Sequence, residues 1–257
     1  MPRRMIANLA GAFVLLFLLP CAAALAWWSL QDRPAMWNAA DWSSSGLLAA
    51  APPGPAIHVL AARTGGLKGA VSVHTWIAYR REGGPWIRWD VVGWGAPVRR
   101  DAWPADGRWY SNEPWTVGSV TGAEAERLIP AVEAAVAAYP WSARGDYRLW
   151  PGPNSNSFTA YVLRAVPELG AQLPPHAVGK DWLGSGLRAE RDPGGDLHLS
   201  LWGLAGFAAG PRTGLEVQLL GQTFGIDLAR PALKLPGVGR VGPPFDASIS
   251  ALAAPGG

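Results

Sequence analysis

Val71-Ser72-Val73-His74-Thr75-Trp76-Ile77-Ala78-Tyr79 alternates as a half-buried strand does, with Val71, Val73, Thr75, Ile77 and Tyr79 on one face and Ser72, His74, Trp76 and Ala78 on the other. The turn-forming run Arg81-Glu82-Gly83-Gly84-Pro85 follows, and then a second strand pattern from Trp86 to Val92. A hairpin centred on Gly83 sets Trp76 opposite Asp90 and His74 diagonal to it, so both reach Asp90 on one sheet face. Upstream, Ala56-Ile57-His58-Val59-Leu60 reads as a further strand.

Downstream, residues 93–118 carry four tryptophans and no clear period. Helical spacing then sets in at Ala125, Leu128, Ile129, Val132 and Val136, behind Thr121 and Glu124, which have the spacing of a capping box. Pro130 should kink or split that helix. A second helix is expected from near Ser155 to about Val166, burying Phe158, Tyr161, Val162 and Ala165 and stopped by Pro167. The Gly-rich remainder offers strands at Leu197–Trp202 and Leu215–Leu220 and, from 231 to 257, an extended tail.

At the amino terminus, Arg3-Arg4 precedes an uncharged stretch from Met5 to Leu30, long enough to span a bilayer. Trp27 and Trp28 sit where interfacial tryptophans are favoured. A retained anchor is favoured over a cleaved signal peptide, although Ala22-Ala23-Ala24 and Ala24-Leu25-Ala26 both offer small-residue cleavage patterns. With the positive flank inside, the rest of the chain faces the periplasm, tethered to the inner membrane by a single pass. Residues 1–30 are thus read as anchor, 31–54 as a Pro- and Ser-broken linker in which Trp37 and Trp42 lie on the membrane or pack on the domain, 55–230 as the main domain and 231–257 as tail. The expected class is α+β, an antiparallel sheet packed on a few helices.

Composition narrows the function. With 257 residues, 49% hydrophobic and 16% charged, the chain is not a disordered tail protein. One Cys excludes an internal disulfide and a cysteine metal cage. The net charge of +3 includes no basic run after Arg4, so no nucleic acid is expected. Gly237-Val238-Gly239-Arg240-Val241-Gly242 has the dinucleotide spacing, but Pro243-Pro244 follows where a helix should open, and no cofactor is expected. His58, His74, His176 and His198 are too scattered for a metal site. No pattern sets an oligomeric state.

The chemistry-bearing string is Trp150-Pro151-Gly152-Pro153-Asn154-Ser155-Asn156-Ser157-Phe158. Asn154 is a natural N-cap, and a nucleophile at such a helix start gains from the dipole and from free N–H groups. A His oriented by a carboxylate and facing that hydroxyl completes a base–orienter–nucleophile set: His74, Asp90 and Ser155. The plain alternative is a capping string and a buried, hydrogen-bonded His.

A strand-borne His followed by a helix opened by Asn-nucleophile-x-x-Phe resembles the permuted papain-like superfamily, which includes the NlpC-type peptidases and the lecithin:retinol acyltransferase-like enzymes. Asn154-Ser155-Asn156-Ser157-Phe158 is similar to the Asn-Cys-x-x-Phe string of the latter branch. The resemblance covers roughly 56–166 and implies His74 as base, Ser155 as nucleophile and Asp90 as third polar group. Ser stands where that superfamily has Cys, and a serine needs a better aligned base than a thiol does. The anchor, the Pro-Gly-Pro-Asn-Ser-Asn string and the segment Phe224–Pro231 also resemble a bacterial membrane-anchored family known only as a domain of unknown function. The expectation is a hydrolase or acyltransferase acting on an amide or ester of the cell envelope, with Trp76, Asn154 and Asn156 contacting an envelope small molecule or peptide. The alternative is a catalytically inactive binding or structural protein of the same fold.

Overall fold

The computed structural model describes residues 2–33 and 37–243; the Trp37 side chain, Pro34 and the part of the expected tail beyond 243 lie outside them. The fold is α+β, with two antiparallel sheets and an apolar amino-terminal helix.

The first sheet has the order β4-β3-β2-β1-β5, built from β1 (Ala56–Arg63), β2 (Val73–Arg80), β3 (Ile87–Val91), β4 (Val98–Arg100) and β5 (Trp115–Thr121). The β2–β3 register pairs Ile77 with Trp89, Ala78 with Arg88 and Tyr79 with Ile87, so the hairpin is centred on Gly83. Both faces of this sheet are buried. Ile57, Val59, Val73, Ile77 and Tyr79 pack beneath the helices, while Leu60, Ala62, Trp76 and Ala78 pack beneath a layer of aromatic side chains that includes Trp42, Trp103 and Trp109.

Two helices cover the first face. One runs unbroken from Gly122 to Ala137 despite Pro130, held by the buried Leu128, Ile129 and Val132, so the helix is not split there: tertiary packing outweighs the lost bond. The expected capping box does not form either; Thr121 stands at the N-cap without a side-chain bond, and Glu124 turns to Arg127 instead. The other helix, Ser155–Ala165, lies against β2 and β3.

The second sheet holds seven strands in sequential meander order from β6 (Leu187–Arg191) to β12 (Gly239–Val241). Ala232–Leu235 and Gly239–Val241 are its last two strands, so the stretch expected to begin an extended tail is instead sheet. The Gly237–Gly242 string falls on the last turn and strand of this meander.

The amino-terminal helix runs from Arg3 to Ser29 with a π-turn at Val14–Leu18, and is long and apolar enough to cross a membrane. Its Trp28 is buried against the domain, and its Nε1–H donates to Gly66 O at 2.9 Å. Trp42 packs on the domain, edge-on to Trp109.

Candidate functional site

Alternation along β2 and β3 places His74, Trp76, Arg88 and Asp90 on the aromatic side of the first sheet. His74 Nε2 lies 3.3 Å from Asp90 Oδ2. An ionised carboxylate only accepts, so Nε2 carries the proton and Nδ1 the lone pair. The ring is stacked face to face on Trp109, with centroids 3.7 Å apart and planes 5° from parallel.

Arg88 is the partner the sequence reading missed. Its Nη2 and Nε donate to the same Asp90 Oδ2 at 2.7 and 3.2 Å, and Nη1 donates to Pro104 O. The guanidinium is fully buried and lies 4.2 Å from the Trp76 ring centroid. Asp90 Oδ1 is buried without a partner among the described residues. Burial raises the Asp90 pKa, but the Arg88 charge and the His74 hydrogen bond outweigh it and hold the carboxyl below its ordinary value. Burial pulls His74 down from its ordinary 6.5, against the opposing pull of Asp90. The result is a neutral imidazole beside an ionised carboxylate. The alternation that puts Asp90 with His74 also puts Arg88 with Asp90, so that signal was in the sequence. Trp109 lies in a stretch without period, and nothing there announced it.

The helix start is held by its asparagines. Asn154 Oδ1 accepts from the N–H groups of Asn156 and Ser157, and Ser157 Oγ receives the Asn154 N–H, closing a capping box. Asn154 Nδ2 donates to Leu149 O and Val178 O. Asn156 Nδ2 donates to Val73 O and Val178 O, and its Oδ1 accepts from Thr75 Oγ1. Asn156 therefore clasps the residues on either side of His74. Gly179 sits beneath this joint at φ +91°, where a Cβ would come within 2.5 Å of Asn154 Nδ2.

His74 and Ser155 line one cavity of about 250 Å³ at the end of the sheet where β2 begins. Lys68, Trp94, Trp109, Tyr147 and Leu149 form much of the remaining wall. Burial lifts the Tyr147 phenol to about 12, so it stays protonated. Among the described residues, no hydrogen bond joins His74 to Ser155. His74 is on the aromatic face and the Ser155 helix on the other, so they meet only around the sheet end. Of the residues expected to contact a ligand, Asn154 and Asn156 reach the cavity wall. Trp76 does not: it is fully buried, with Nε1–H on Ala105 O and its ring against Arg88.

Residues 55–182 match the model of DUF3750, a protein family of unknown function. That span holds the first sheet, both covering helices and the whole cavity wall, and it ends before the second sheet. No curated protein matches the chain, and no solved structure does.

One further polar cluster lies outside this span. Asp192, Asp196 and His198 bring ligand-type atoms within 4.8 Å of one another. The Arg212 guanidinium pairs with both carboxylates.

Proposed function

We propose that the protein is a membrane-anchored acyl-transfer enzyme, a hydrolase or acyltransferase acting on an amide or ester of the cell envelope, built on a permuted papain-like core. The supporting observation is a neutral His74, oriented by Asp90 and by the Trp109 stack, whose cavity also receives Ser155 at a capped helix start. Ser155 Oγ attacks the carbonyl carbon while His74 Nδ1 takes its proton. The proton passes to the leaving amine or alkoxide as the acyl bond breaks, and water or a second nucleophile then releases the acyl group. The Ser155 N–H is the amide of the first turn left for the oxyanion, since Asn154 takes those of Asn156 and Ser157. The amino-terminal helix, with Arg3 and Arg4 on the cytoplasmic side, holds this site at the periplasmic face of the inner membrane.

The second reading is a binding module of the same shape without chemistry. It is favoured by the missing His74–Ser155 hydrogen bond and by asparagine amides fully used in fastening the helix. A fluorophosphonate probe applied to the full chain in detergent separates the two. The enzyme reading expects covalent labelling of Ser155, lost in Ser155→Ala and much slowed in His74→Gln. No labelling of folded wild-type protein, or labelling that survives Ser155→Ala, sinks it.

A further inference from the structure

The seven-stranded sheet is polarised the wrong way round for a soluble domain. Its inward face, against the Ser155–Ala165 helix and the 171–181 segment, carries Ser200, Glu216, Gln218, Thr223, Asp227 and Lys234, all buried. Lys180 and Lys234 neutralise Glu216 there at 2.9 and 2.6 Å. The outward face is mostly apolar, with Arg191 on the edge strand and Gln222 at one end as its polar members. The register aligns Leu199, Phe207, Val217 and Phe224 in one row across four strands, and Leu197, Leu215, Ile226 and Leu233 fall in the next. Leu197, Val217 and Leu233 are 45%, 39% and 45% exposed, against 0%, 3% and 2% for Ser200, Gln218 and Lys234 on the other face. Contiguous exposed apolar surface of this kind marks a docking face.

The amino-terminal helix indicates what covers it. Trp28 is packed under the 67–70 turn of the first unit. Cys21 and Ala24 pass Gly237 at a turn end of the second sheet, and Phe17 meets Phe224 on the apolar face, ring centroids 6.4 Å apart. The helix thus runs past the sheet and emerges on its apolar side, where Ile6, Leu9, Val14 and Leu15 are exposed. From Arg4 to Phe17 the helix rises about 20 Å. A hydrocarbon core is about 30 Å thick. The shortfall of about 10 Å lies at the upper end of the roughly 5–10 Å to which interfacial apolar faces sink. Val238 is exposed on the turn beside the helix, and Trp202 and Leu220 are exposed on turns at the same end of the sheet.

We propose that the apolar face of the second sheet lies in the outer leaflet of the bilayer that the amino-terminal helix spans, so that the protein is held by a helix and a sheet together. This rests on the membrane reading of the helix. A second copy stacked on the face would have to share that side with the projecting helix; acyl chains share it without conflict.

The test uses the full chain in phosphatidylcholine–phosphatidylglycerol vesicles, with Cys21→Ala as background and single cysteines carrying an environment-sensitive fluorophore. Val217→Cys and Leu199→Cys report the face, Glu113→Cys the exposed side of the first unit, and Leu9→Cys the helix. Nitroxide-labelled acyl chains should quench 217 and 199 several-fold more than 113, and aqueous iodide should do the reverse. Iodide access at 217 and 199 overturns the proposal, and so does protection from both quenchers accompanied by a 217–217 disulfide between copies. Quenching at 9 but not at 217 leaves the helix spanning and rejects the sheet. Quenching at 217 but not at 9 supports the sheet and rejects the spanning helix.

Discussion

The two sheets solve opposite problems with the same alternation. In the first, both faces carry apolar side chains and both are covered, one by helices and one by tryptophans. Three of its polar side chains, Arg88, Asp90 and His74, are enclosed and converge on one carboxylate oxygen. In the second, a polar face is turned inward and an apolar face outward. Buried charges are tolerable on that inner face because they are paired, as Glu216 is by two lysines. An exposed hydrophobic face needs a partner from outside the fold. Burial of a strand residue therefore follows from what lies against the sheet, not from its hydropathy.

Breaking the enclosed pair should cost most. Arg88→Met leaves the Asp90 carboxylate buried without its main counter-charge, at about 3–5 kcal/mol by analogy with broken buried pairs. Urea unfolding of the full chain in detergent measures this. Probe labelling of Ser155 should also fall, since His74 loses a fixed orienting group. A loss below about 1 kcal/mol, typical of exposed pairs, would show that water reaches Asp90.

Much of the first sheet was legible because its signals are local. The alternation from Val71, the turn at Gly83 and the Asn154 cap each depend on a few adjacent residues, and the His74–Asp90 contact follows from register alone. The second sheet was mostly missed, with two strands expected where seven stand. Its period of two is present in Leu197-His198-Leu199-Ser200-Leu201, but strands such as Ala205–Gly210 and Ala232–Leu235 are short and weakly apolar. What sets them is pairing with neighbours, which no single segment reveals. The continuity of the helix through Pro130 is likewise a tertiary effect.

The seam between the units should be acid-sensitive. Burial, with help from Arg63 and Lys180, lowers His176 from 6.5 to about 3. The folded state then stays neutral where the unfolded chain takes a proton, so stability is full above pH 6.5 and falls as pH drops towards about 3. The loss is on the order of a few kcal/mol. Glu216, lowered from 4.5 to about 2 by Lys180 and Lys234 against the effect of burial, adds a loss only below about pH 4.5. His176→Gln should flatten the thermal-melt profile between pH 6.5 and 4.5 and leave the steeper fall below it. An unchanged profile would assign the acid response to other groups.

A smaller effect is expected at the joint that carries Ser155. In Gly179→Ala the new Cβ meets Asn154 Nδ2 at a backbone angle that L-residues rarely adopt. Strain and a disturbed cap together cost about 1–3 kcal/mol. Probe labelling should fall more than the melting temperature suggests, because the same asparagine fixes the helix start beside His74. Equal melting and labelling to wild type would mean that the joint can shift without moving the serine.

The smallest effect separates the two sheets most directly. Ile77 and Val217 are both strand residues in the middle of an antiparallel sheet. Ile77→Ala opens a cavity in a closed core and should cost about 2–5 kcal/mol. Val217→Ala removes a side chain that faces away from the protein and should stay within about 0.5 kcal/mol in detergent, where micelle hydrocarbon covers wild type and variant alike. The difference is in destination, since two carbons lost from a lipid-facing surface weaken adsorption to vesicles and leave the fold untouched. If Val217→Ala instead destabilised the protein as Ile77→Ala does, the outward face would be packed against protein, and the second sheet would be half of a sandwich between copies.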